Sequence, residues 1–172
     1  MEAATQALDA QPIAMTLSTG FAALYEHHYT VVYRTALRIT GNPADAEDAM
    51  QTVFLRILNQ GSRLDLGQLK EAYFRRAAAN AALDLLRRRV SHAEAGLDEA
   101  FPHAAHETEA LLKERLRRAI ATLDGSDGEL FLLRFVEGLS NGELAELFGQ
   151  DKNHIAVRLH RIRQMLQVEM ER

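Results

Sequence analysis

From Phe21 to Val90 apolar side chains return at every third or fourth position, and only Gly41-Asn42-Pro43 and the glycine-containing segment 61–67 interrupt them. That period belongs to a helix. With three prolines and ten glycines in 172 residues, the chain holds few breakers. Ala, Leu, Arg and Glu dominate it, while β-branched and aromatic residues are sparse. The expectation is an all-α protein of one or two domains. A hydrophobic share of 47% excludes a disordered or fibrous chain. The absence of cysteine excludes disulfides, Cys-based zinc sites and thiol nucleophiles.

Residues 1–20 show no sustained period and end in Ser18-Thr19-Gly20, so they are read as a mobile tail. A helix is expected from Phe21 to Thr40. Asn42 then caps a second helix, with Pro43 at its first position and Asp45 in its first turn. A third helix is expected from about Gln68 to Val90, with Phe74, Ala78, Ala81 and Leu85 inward. Together they form a three-helix bundle over 21–90. Residues 91–109 are acidic and weakly periodic, and read as a linker. Residues 110–172 read as a four-helix domain, whose first helix spans about Glu109 to Leu123. Two capping boxes, Ser126/Glu129 and Ser140/Glu143, open the next two helices. Gly149 is a natural left-handed stop, and Asp151 caps the last helix.

The net charge of −4 hides a segregation. Residues 69–90 carry six bases against two acids, and residues 152–163 carry four bases and no acid. Residues 91–110 carry five acids and neither Lys nor Arg. Two basic islands in an acidic chain point to nucleic acid more than the total does.

The segment Leu139–Arg163 has helix-turn-helix spacing: a short helix, a turn at Gly149, then a longer helix with Ile155, Leu159 and Ile162 inward. The second helix offers Lys152, Asn153 and His154 near its start and Arg158 and Arg161 further on, suited to base edges and phosphates respectively. On the third helix Tyr73, Arg76, Asn80, Asp84 and Arg87 share one stripe that ends in Arg87-Arg88-Arg89. An aromatic ring, an amide and guanidinium groups on one face suit unstacked bases and a single-stranded backbone. Cations at a helix C-terminus also serve as caps. The second helix turns Asp45, Asp48, Gln51, Thr52, Leu55 and Arg56 outward, and apolar Leu55 on that face points to a protein partner.

The run Asp45–Arg56 resembles the polymerase-binding helix of bacterial RNA polymerase sigma factors, and Tyr73–Arg89 resembles their promoter-melting helix. Leu132–Gly149 and Val157–Arg163 resemble their C-terminal DNA-reading domain. Two such domains with only a short linker resemble the extracytoplasmic-function group. The resemblance implies a non-enzymatic specificity subunit that works without a cofactor. It implies core RNA polymerase and promoter DNA as partners, and it admits an anti-sigma protein. By position, Asp45, Asp48, Gln51, Thr52, Leu55 and Arg56 would meet core polymerase. Tyr73, Arg76, Asn80, Asp84, Arg87 and Arg88 would meet the minus-ten element. Lys152, Asn153, His154, Val157, Arg158 and Arg161 would meet the minus-thirty-five element. Tyr73 or Ala72 stands where the family usually has tryptophan, and Ala156-Val157 stands where it often has Lys-Ser. This reading requires both arginine-rich ridges to be reachable from solvent.

Rival readings are a helical interaction module without promoter recognition and a helical hydrolase with scattered carboxylates. Glu26-His27-His28 and His103/His106/Glu107 offer metal-ligating side chains, but His28 lies on the inward stripe and His103 and His106 in the linker, so a core histidine and solvated side chains are expected instead. No stretch reaches the roughly 18 apolar residues of a membrane span. Glu2 and Asp9 stand where a secretory signal would be basic, so a cytoplasmic protein is expected.

Overall fold

The computed structural model describes residues 6–60, 65–94 and 109–171. The described elements are α1 (Gln6–Thr40), α2 (Pro43–Gln60), α3 (Glu71–Glu94), α4 (Glu109–Thr122), α5 (Gly125–Phe135), α6 (Asn141–Phe148) and α7 (Lys152–Met170), with a 3-10 turn at Leu66–Gln68 before α3. No strand occurs among the described residues.

The start of α2 follows the expected chemistry. Asn42 Oδ1 accepts from the backbone N–H of Ala44 at 2.8 Å and of Asp45 at 3.3 Å. Gly41 makes the break before it, at φ 66°, where other residues would be strained. Ala46, Ala49, Val53, Phe54 and Ile57 then face inward.

Helix α1 begins at Gln6, so the expected tail over 1–20 is helical from that residue on. Ala7, Leu8, Ala10, Ala14 and Leu17 are strong helix formers; against them stand Gly20, at about 1 kcal/mol, and Pro12, at about 3 kcal/mol in a helix interior. Helix α3 also runs four residues past Val90, into the segment expected as linker. Residues 95–108, with most of that acidic stretch and His103 and His106, lie outside the described residues.

Helix α3 sits at the centre, against α1 and α2 on one side and α4 and α5 on the other. Phe74, Ala78, Ala79, Ala81, Ala82, Leu83 and Leu86 are all buried. The alanine run lets neighbouring helices close in from both sides, because a methyl group adds little to the helix radius. The C-terminal helices add Leu130, Leu132, Leu133, Leu144, Ile155 and Ile162 to the same continuous core. His28 is half-buried at the edge of the core, where it stacks on Phe74 with ring centroids 3.8 Å apart.

Of the two expected capping boxes, one forms. Ser140 Oγ accepts from Glu143 N–H, and Glu143 accepts from Ser140 N–H. The Ser126/Glu129 box does not. Helix α5 starts two residues earlier, capped by Asp124, whose carboxylate accepts from Asp127 N–H at 2.9 Å. Glu129 is drawn away to Arg76 on α3. A nearby guanidinium outcompetes a single backbone N–H for a carboxylate.

Candidate nucleic-acid interface

Helix α7 presents most of its expected set. Asp151 accepts from Asn153 N–H at 2.7 Å and fixes the helix start. Gly149, at φ 61°, turns the chain between α6 and α7. Ile155, Leu159, Ile162 and Leu166 anchor the inner face. Lys152, Asn153, His154, Val157 and Arg161 are consequently exposed together. Their polar and cationic groups lie on the uncovered side of the N-terminal half of α7, which is where a recognition helix meets base edges. Arg158 departs from the expectation. It donates to Asp127 Oδ1 at 2.6 and 3.1 Å, to Ser126 Oγ at 2.7 Å and to Gln150 Oε1 at 2.9 Å. Here it braces α7 against the start of α5, because Asp127 in the first turn of α5 faces it.

Helix α2 turns Asp48, Gln51 and Leu55 to solvent, and Leu55 is 56% exposed. Thr52 and Asp45 are half-buried, and Asp45 pairs with Arg89. Arg56 reaches Asp84 at 3.4 Å, which joins this face to the α3 stripe.

The α3 stripe is the main correction. Its residues do share a face, but Arg76, Asn80 and Arg87 on it meet the C-terminal helices, while Asp84 meets Arg56 of α2. Arg76 donates to Glu129 Oε1 at 2.5 Å and to the Leu147 carbonyl at 2.9 Å, and lies 4.6 Å above the Phe148 ring. Asn80 donates to the same Glu129 oxygen at 3.1 Å. Arg87 donates to the carbonyls of Ala121 at 3.3 Å and Leu123 at 2.8 Å. Tyr73 is half-buried, edge-on to Phe74, and opens onto a cleft of about 610 Å³ between the start of α3 and the α5–α6 connection. Arg88 alone of the expected set is fully exposed. Periodicity identifies which residues share a face, but not what that face meets.

Residues 24–91 match the family model described as Sigma-70 region 2, and residues 113–166 match Sigma-70, region 4. CarQ of Myxococcus xanthus, an RNA polymerase sigma factor, is 31% identical over 145 residues, which is 82% of this chain and 83% of CarQ. The chain belongs to the extracytoplasmic-function sigma factors. SigE of Mycolicibacterium smegmatis, an ECF RNA polymerase sigma factor, is 30% identical over 83% of this chain, a match that spans 58% of SigE's own length. The fold resembles Bartonella quintana RpoE, solved in complex with the anti-sigma factor NepR, with a TM-score of 0.50 at 18% identity over 88% of this chain and 96% of that one.

In this ECF sigma factor the segment matching region 4 supplies residues that inspection of the sequence did not select. Glu129 and Glu137 are acids on or beside an apolar helix, with side chains 6% and 0% exposed. A carboxylate among leucines needs a cation, and that was the available signal. Glu137 accepts from Thr35 Oγ1 at 2.9 Å, Arg38 at 3.2 Å and Arg75 at 2.6 Å. Among the described residues no three His, Asp or Glu side chains gather as a metal site would require, and no helix is long and apolar enough to cross a membrane.

Proposed function

We propose that the chain binds core RNA polymerase and directs promoter-specific initiation, with its N-terminal helices at the minus-ten element and α7 at the minus-thirty-five element. The observation that carries this is the pairing of region 2 and region 4 matches, in order, with an exposed α7 face of Lys152, Asn153, His154, Val157 and Arg161. Asp48, Gln51 and Leu55 form the polymerase-docking ridge, an apolar contact rimmed by an acid and an amide. Lys152 and Arg161 neutralise phosphates, Asn153 and His154 reach base edges, and Val157 meets a thymine methyl. Once the C-terminal helices that cover them here move away, Arg76, Asn80 and Arg87 hold the unpaired strand, the two guanidiniums and the Asn80 amide exchanging protein oxygens for phosphates, while Tyr73 stacks on a base. The chain supplies specificity and no bond chemistry of its own, and it works in the cytoplasm with the polymerase. An anti-sigma protein, such as the one bound to RpoE, is a further partner in this reading.

The test is transcription in vitro with core polymerase on a random promoter library. Enrichment of a two-element sequence supports the proposal. Polymerase binding without promoter-dependent RNA would favour an interaction module instead.

A further inference from the structure

We infer that Glu129 and Glu137 clasp the two halves of the free protein together and occupy, as internal anions, the arginine ridge that single-stranded promoter DNA must use. This rests on the promoter-reading function proposed above.

The clasp has two sites. At the first, the Glu129 carboxylate takes Arg76 and Asn80, both from the expected minus-ten set. At the second, Glu137 takes Thr35 and Arg38 from α1 and Arg75 from α3. A carboxylate meets a guanidinium with the same paired oxygens that a phosphate offers. Backbone carbonyls complete the cover: Leu147 holds Arg76, and Ala121 and Leu123 hold Arg87. Arg117 of α4 runs the opposite way, donating to the Ile39 carbonyl at 2.9 Å. Gly128 lets α5 lie directly on Leu83 of α3.

Both carboxylates are buried, so each costs desolvation energy that its cations and its Asn80 or Thr35 hydrogen bond offset. The closed form is therefore held by groups that lose their purpose once the halves part. In the open form the carboxylates hydrate, and the arginines are released to bind phosphate. DNA and the C-terminal half compete for one surface. Free protein should bind single-stranded DNA poorly until polymerase separates the halves.

The experiment uses the full chain and a fluorescein-labelled random single-stranded 20-mer at low salt. Fluorescence anisotropy reads affinity, and small-angle scattering reads the separation of the halves. The double variant Glu129→Gln/Glu137→Gln keeps the side-chain volume and removes both charges. Glu26→Gln/Glu47→Gln, at two exposed positions, removes the same charge elsewhere. The clasp variant should expand and bind the oligonucleotide at least tenfold tighter, and the control should stay compact and within about twofold of wild type. Arg38→Ala, at an exposed position that does not threaten folding, should move both readouts less in the same direction. If the clasp variant and Arg38→Ala stay compact with wild-type affinity, or the control gains as much as the clasp variant, the inference is wrong. Transcription by the wild type with core polymerase, run alongside, reports on the function separately. Expansion and DNA gain without any transcription would sink the function and leave the clasp standing.

Discussion

A Cβ on Gly128 would stand 2.8 Å from Leu83 Cδ2, so α5 lies this close to α3 because position 128 is glycine. Leu83 is 1% exposed and cannot swing away without disturbing the shared core. Gly128→Val should therefore cost roughly 1–3 kcal/mol through overpacking. Urea denaturation of the full chain reads it, and an unchanged midpoint would show that the helices stand further apart.

Leu55 is 56% exposed, so its replacement should leave the fold intact. Leu55→Arg should weaken binding to core polymerase by tenfold or more, about 1.4 kcal/mol. Titration of labelled protein with core polymerase measures it, with the unfolding midpoint as the check on stability. Equal affinity would remove this ridge from the docking surface.

Much of this architecture was legible in the residues. Asn42-Pro43 opens α2, Ser140 and Glu143 cap one another, and Gly149 turns the chain before α7, each as local chemistry dictates. Local chemistry also led to the error at α5. Ser126 and Glu129 have capping-box spacing, but Arg76 is some fifty residues away in sequence and close in space. The outward set on α7 could be read because only one side of that helix is covered. The set on α3 could not, because α3 is covered on both sides and its polar stripe lies in the second contact. The alanines at 77–79 and 81–82, together with Gly128, were the available sign of close helix approach.

Lys152 and Arg161 lie free on α7, whereas Arg158 is engaged by Asp127. Lys152→Ala and Arg161→Ala should each weaken promoter binding by the polymerase holoenzyme across sequences. Each should lower the log–log salt slope by about 0.9. An affinity loss with an unchanged slope would mean that neither meets a phosphate.

Burial against Phe74 holds the His28 imidazole below its ordinary pKa; neighbouring His27 adds to the shift, and Glu71 opposes it. The unfolded chain therefore binds a proton there more readily than the folded one, so stability rises with pH. Acidifying from about pH 7.5 to 5.5, across the ordinary imidazole range, should lower the melting temperature. His28→Phe should flatten that dependence. An equally steep profile in the variant would assign the effect to other groups.

The most direct measurement is a footprint of the holoenzyme on a promoter selected from the random library, probing duplex protection and permanganate-reactive thymines together. Two separated contacts should appear, an upstream protection that Lys152→Ala weakens and a downstream opened segment that Arg76→Ala weakens. A single protected patch, or two patches indifferent to both substitutions, would contradict reading by two surfaces.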